Sequence, residues 1–264
     1  MHIAVLVKQV PSTDNVKIDE TTGTMIRSEL ESELNPLDMY SVEEAVKIKE
    51  AHAGTKISVI SMGPSAAVYA IKEAISMGCD EGILLTDRKF AGADTLATAY
   101  TLSQYLKQTK NFDIIFAGER ATDGETGQVG PSVAAQLNIP VLTYVNKIIE
   151  ITENSIVVQR AVEGGNETVE TTLPALLTVV KEINEPRLPN LENKLRAKNA
   201  KIDIVSRDQI DLEEEKIGLK GSPTRVVKVF YPKISRQGEK IVVRSPEEAV
   251  EKIITFLKEK GVIV

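Results

Sequence analysis

Asp113-Ile-Ile-Phe-Ala-Gly-Glu-Arg-Ala-Thr-Asp-Gly-Glu-Thr-Gly-Gln-Val-Gly-Pro131 reads as an apolar strand, a glycine-rich turn and the start of a helix. The helix continues through the amphipathic segment Ser132 to Leu137. α/β proteins build anion sites this way: glycines let the backbone approach a phosphate, and the unpaired N–H groups of the helix start point at it. The spacing is neither the dinucleotide G-x-G-x-x-G nor a P-loop, which needs Gly-Lys-Ser/Thr. On pattern alone a nucleotide cradle and a plain strand-to-helix connection both stay open.

Working outward, strands and helices alternate. His2 to Lys8 is an apolar run suited to a strand buried on both faces of a parallel sheet. Residues 15–28 suggest a hairpin with its turn at Glu20 to Gly23, and Asn35-Pro-Leu-Asp38 leads into a helix that Asp38 or Ser41 would cap. Lys56–Ser61 is a strand, followed by a helix from Ser65, the expected N-cap, to Met77. Gly82–Thr86 is a strand and Thr95–Gln108 a long helix. The alternation predicts an α/β fold, a Rossmann-like doubly wound, mostly parallel sheet with its crevice beyond the carboxyl ends of the strands.

From Pro140 the texture changes. Val141–Val145, Lys147–Thr152, Ser155–Arg160, Glu167–Thr172 and Ala175–Val180 read as successive strands forming an antiparallel extension. Beyond Asn184 the chain is polar and poor in core residues, and it closes on a capped amphipathic helix, Ser245 to Lys260. The expected organisation is a nucleotide-binding core over 1–183, then a partner-docking loop and C-terminal arm over 184–264.

Composition narrows the chemistry. With 42% hydrophobic and 27% charged residues the 264-residue chain is an ordinary globular protein. Its net charge of −6 argues against general nucleic-acid binding. No apolar run suits membrane insertion, and Met1 opens directly into a strand without a signal peptide, so a cytoplasmic location is expected. The single cysteine, Cys79, excludes an internal disulfide framework and reads as a small buried hydrophobe, and only His2 and His52 are available as imidazoles. No nucleophile stands with an activating base, which points to a binding site whose chemistry a cofactor would supply.

Two loops carry that site. In Ala91–Thr98, Asp94 or Thr95 stands at a helix start, with Thr95 and Thr98 one turn apart; their hydroxyls and the first N–H groups suit a pyrophosphate, and an ordinary capped helix is the alternative. In the glycine loop, Asp123, Glu125, Thr126 and Gln128 suit ribose hydroxyls or an adenine edge, with Arg120 and Arg88 as counter-charges.

Further motifs run through the chain: Val7-Lys-Gln-Val-Pro11, Asn35-Pro36 with Asp38, Met62-Gly-Pro64, the Gly118–Pro131 loop, Val158-x-Arg160-x-x-Glu163-Gly-Gly, Pro174-Ala-Leu-Leu-Thr178, Asn184-Glu-Pro-Arg187 and Lys194-x-x-Ala197-Lys198. Together they resemble the β subunit of electron transfer flavoproteins, and the resemblance covers nearly the whole chain. It implies a Rossmann-like core, an α-subunit partner and electron transfer between dehydrogenases and acceptors. In the respiratory group of that family the crevice holds structural AMP; in the electron-bifurcating group it holds FAD reduced by NADH.

Asp87-Arg…Gly92-Ala-Asp-Thr-Leu-Ala-Thr98 is similar to the bifurcating pattern, and Gly124 and Gly130 stand where AMP-type subunits usually carry Asn and Thr. The resemblance therefore implies FAD, with AMP as the alternative, and electrons passing from NADH to ferredoxin or flavodoxin and, through the α-subunit FAD, to an acyl-CoA or other flavin dehydrogenase. Carried over by position, the nucleotide contacts are Leu6, Asn35, Pro36, Leu37, Asp38, Met62, Gly118, Glu119, Arg120, Ala121, Thr122, Asp123, Gly124, Glu125, Thr126, Gly127, Gln128 and Val129. Asp94, Thr95 and Thr98 would take the diphosphate, and Ser222 and Thr224 would approach the flavin. Leu191 matches a leucine that docks the dehydrogenase, although Glu192 stands where relatives have proline. Two rival readings are a nucleotide-binding regulatory module without redox chemistry and an adenylating or ATP-pyrophosphatase enzyme. Neither accounts for the motifs between residues 158 and 198.

Overall fold

The computed structural model describes residues 1–12, 17–18, 25–26, 32–109, 111–227, 240 and 242–263. The chain divides into two compact units, Met1–Val229 and Phe230–Val264. In the first, β1 (His2–Leu6), β2 (Gln9–Pro11), β3 (Lys17–Ile18), β4 (Met25–Ile26) and β5 (Ser32–Leu34) precede α1 (Pro36–Ala51). Then come β6 (Lys56–Met62), α2 (Val68–Met77), β7 (Glu81–Leu85), α3 (Thr95–Thr109), β8 (Ile114–Gly118) and α4 (Val129–Leu137). β9 (Val141–Ile151), β10 (Ser155–Val162), β11 (Gly165–Thr172), β12 (Ala175–Val179), α5 (Leu191–Asn199) and β13 (Ile202–Val205) complete it. β3 pairs with β4, as the predicted hairpin requires; its turn, Glu20 to Gly23, lies outside the described residues.

Nine strands form one sheet in the order β11-β10-β9-β12-β8-β1-β6-β7-β13. Every pair from β9 to β13 is parallel, and β10 alone runs against the others, antiparallel to both β9 and β11. Three predicted assignments change. Val141–Val145 and Lys147–Thr152 are one continuous strand, β9, which pairs in parallel with β12. Ala175–Val179 is not part of the antiparallel extension but lies inside the parallel core, between β8 and β9. The polar stretch after Asn199 contains β13, which pairs with β7 at the opposite edge.

Strand alternation sends side chains to two separate cores. Ile3, Val5 and Val7 join Val42 and Val46 of α1, Ile71 and Ile75 of α2 and Ala197 of α5 on one face. Ala4 and Leu6 join Leu102 and Leu106 of α3 and Val133 and Ala134 of α4 on the other. Helices on both faces make the sheet doubly wound. After β1 the chain moves outward through β6 and β7, then α3 carries it back across to β8 on the other side of β1. The β1/β8 boundary is thus the topological switch point, where the connections diverge and leave a crevice at the carboxyl ends.

In the second unit, α6 (Pro246–Glu259) begins at Ser245, whose hydroxyl accepts the Glu248 N–H. Its Val250, Ile253, Ile254 and Phe256 side chains are exposed. No helix among the described residues is long and apolar enough to cross a membrane.

Candidate functional site

The crevice at the switch point is built on Asp38 and Asn35. Proline at the first helical position starts α1, with Asn35 as the N-cap residue. Asp38 is therefore in the first turn rather than at the cap, and neither it nor Ser41 caps the helix. Its carboxylate instead reaches across to the ends of two strands, accepting the Lys8 N–H at 2.8 Å and the Gly118 N–H. A side chain at 118 would place its Cβ 2.5 Å from Asp38 Oδ1, so glycine is required there. Burial pushes the Asp38 carboxyl up to about 7, against the lowering effect of Asn35, the two N–H donors and the Lys8 charge.

Asn35 is fully buried and clips the glycine loop to α1. Its Nδ2 donates to Arg120 O at 3.0 Å, and its Oδ1 accepts the Thr122 N–H at 3.2 Å. Within the loop the Glu125 N–H bonds Ala121 O, and Glu119 N–H bonds Val179 O on β12. Glu125 and Gly127 take left-handed backbone conformations, with φ of 50° and 61°. Lys8 Nζ pairs with Asp123 at 2.6 Å, and Arg120 pairs with Glu119. Asp123 and Glu119 thus have counter-charges, of which Lys8 has no signal in the loop's own sequence. At the start of α4, Pro131 lacks an N–H and the Ser132 N–H bonds Gln128 O, and among the described residues no acceptor takes the Val129 or Gly130 N–H.

A second cluster forms at the carboxyl end of β7. Asp94 is the cap of α3: Oδ1 accepts the Leu96 and Ala97 N–H groups at 3.0 and 3.1 Å. Its Oδ2 accepts both the N–H and the hydroxyl of Thr224, and its own N–H donates to Ser222 Oγ at 2.8 Å. Burial works against the charge, but these donors together hold the Asp94 carboxyl below its ordinary range. The segment carrying Ser222 is seated on the β7–α3 connection by Leu219 N–H to Ala91 O and by the Lys89–Glu214 ion pair. Gly218, at φ +54°, passes so close to the Lys89 carbonyl that a Cβ would collide with it. Met62 ends β6, the strand between the two clusters, in register with Leu85 of β7.

The electron transfer flavoprotein domain matches residues 22–210. The chain belongs to the electron transfer flavoprotein family. It is 46% identical, over 100% of both chains, to the electron transfer flavoprotein subunit beta of Thermoanaerobacterium thermosaccharolyticum. It is 43% identical, again over 100% of both, to subunit CarD of the caffeyl-CoA reductase–Etf complex of Acetobacterium woodii. To FixA of Azotobacter vinelandii it is 39% identical over 88% of this chain and 85% of that one.

In this member of the family the predicted nucleotide-site residues other than Met62 fall into the two clusters just described. Leu6, Asn35 to Asp38 and Gly118 to Val129 gather at the β1/β8 switch point, and Asp94, Thr95, Thr98, Ser222 and Thr224 gather beyond β7. One expectation at the second cluster changes. Two of the first N–H groups of α3, those of Leu96 and Ala97, do not stand open for a ligand, because the Asp94 carboxylate already accepts them. Asp94 also orders Thr224, whose hydroxyl donates to it, and the Ser222 hydroxyl donates to Gly218 O. Leu191 joins neither cluster: it opens α5 after the Asn190 cap and is 73% exposed, beside exposed Leu188 and Leu195. That segment is tied to α1 by Arg187, whose guanidinium bonds Glu43 and Glu50, and by Asn184, which bonds Tyr40 O and Glu44. Cys79 is fully buried, and burial pushes its thiol up to about 12, so it is chemically quiet.

Proposed function

We propose that this chain is the β subunit of a heterodimeric electron transfer flavoprotein of the bifurcating type, and that its crevice binds FAD. The observation that carries the reading is the pairing of clusters along one sheet edge. From β8 to β7 is three strand spacings, about 14 Å at roughly 4.8 Å each. A dinucleotide laid along that edge meets both clusters, whereas a mononucleotide fills only the first. Asn35, Asp38 and the glycine loop would hold the adenosine, with Asp123, Glu125, Thr126 and Gln128 toward the ribose. The Val129 and Gly130 N–H groups would meet phosphate oxygens, and Thr95, Thr98, Ser222 and Thr224 would line the far end.

When bound, the flavin supplies hydride acceptance from NADH and one-electron transfer, which no side chain here provides. The protein's part is to fix the cofactor and exclude alternatives. Partners on this reading are an α subunit with its own FAD, ferredoxin or flavodoxin, and a flavin dehydrogenase such as an acyl-CoA dehydrogenase docking at Leu191. The relative named for a caffeyl-CoA reductase–Etf complex supports an assembly of that kind. AMP is the second reading. It needs only the first cluster, and the observation in its favour is the Asp94 carboxylate at the start of α3.

Quantifying flavin and adenine nucleotide in the purified heterodimer separates the two. Two FAD per heterodimer and bleaching of both by NADH are expected. One flavin together with one AMP would replace the bifurcating reading by the respiratory one.

A further inference from the structure

We propose that Gly130 and Thr178 form a steric pair that sets how closely the first turn of α4 lies against the sheet, and so positions the open N–H donors of the nucleotide site. The inference rests on the nucleotide reading above and adds to it a positioning role for Thr178 and for the absence of a side chain at Gly130. Gly130 is the second residue of α4 and is buried. A Cβ built on it would stand 2.7 Å from Thr178 Cγ2, closer than carbon atoms tolerate. The next neighbours, Leu176 Cδ2 at 3.4 Å and Ala117 Cβ at 3.7 Å, are at ordinary contact. One methyl group therefore decides whether position 130 can carry a side chain.

That methyl cannot turn away freely. Thr178 is 3% exposed and β-branched, and its Oγ1 accepts the Tyr144 N–H at 3.2 Å. Rotating Cγ2 out of the contact would carry Oγ1 away from that N–H. The bond is needed where it is, because Tyr144 holds a left-handed backbone at φ +57° within β9. Arg160 fixes the preceding residue as well, donating to Thr143 O and to Thr143 Oγ1, both at 2.8 Å. The next residue of β12, Val179, accepts the Glu119 N–H of the glycine loop. Thr178 thus lies under both ends of the nucleotide loop, and its two branches have separate tasks: the methyl seats α4 and the hydroxyl holds Tyr144.

Binding of AMP and of FAD to the nucleotide-stripped heterodimer tests the pair through a double-mutant cycle. Gly130→Ala should weaken binding roughly tenfold or more, because overpacking pushes the helix start outward. Thr178→Ser keeps the hydroxyl and should cost only about two- to threefold. The combination G130A/T178S has room for the added methyl and should recover to within about threefold of wild type. G130A/T178V keeps the obstructing methyl and should not recover. A G130A protein that binds like wild type, or a G130A/T178S protein that binds no better than G130A, overturns the inference. Should G130A not fold, recovery of folded, nucleotide-binding protein in G130A/T178S but not in G130A/T178V still decides it. A wild-type heterodimer that binds neither nucleotide overturns the site reading itself, and this inference with it.

Discussion

Asp38 shows what a residue at the switch point is asked to do. Its carboxylate is buried where the ends of β1 and β8 need an acceptor, and three donors do not fully offset the desolvation. In the unfolded chain the same carboxyl titrates near its ordinary value, about 4. Between about pH 4 and about pH 7 the folded protein therefore holds a proton that the unfolded chain has released. The sign follows: the contribution of Asp38 to stability is most favourable below pH 4 and is lost as pH rises to 7. Its size is on the order of a few kcal/mol. Denaturant unfolding of wild type and Asp38→Asn at several pH values isolates this slope. The difference between the two proteins should change across that window and level off above it; a difference constant with pH would show that the carboxyl titrates normally.

At the scale of elements, the start of α3 is a junction rather than an open anion site. Asp94 caps the helix with one oxygen and fastens Thr224 with the other. Asp94→Ala should cost about 1 kcal/mol for the lost cap alone. It should also release the Ser222–Thr224 segment, read as faster amide exchange at Thr224 with little change in the sheet. Asp94→Asn keeps one acceptor oxygen and should lose less of both. Unchanged exchange at Thr224 in the alanine variant would mean that Leu219 and Gly221, bonded to Ala91 and Ile217, seat the segment without it.

For the molecule as a whole, α6 is an amphipathic helix whose apolar side is exposed in its own unit: Ile253 is 57% and Phe256 55% accessible. We propose that a partner subunit covers this face. Ile253→Glu should leave the unfolding midpoint of the isolated chain unchanged within error while weakening heterodimer formation by about tenfold or more, measured by titration of the α subunit. An equal loss of stability in the isolated chain would mean that the face is already covered within this subunit.

The chain's own order of residues determined the alternation of strands and helices, the glycine loop and the cap of α6, because each is decided by neighbours a few positions apart. The continuous apolar run Ala175–Val179, buried along its whole length, carried the signature of a strand covered on both faces, yet it follows a series of half-exposed strands and reads locally as one more of them. Its insertion between β8 and β9, and the pairing of Ile202–Val205 with β7, were decided only by tertiary structure, since strand pairing depends on which sheet edge is free when the segment arrives. The site divides the same way. Gly118 and the loop after it were legible as a cradle, but the Lys8–Asp123 pair, the Asn35 clip and the Gly130–Thr178 contact join residues far apart in sequence. Local chemistry supplies the donors and acceptors; the switch point of the sheet brings them within reach of one another.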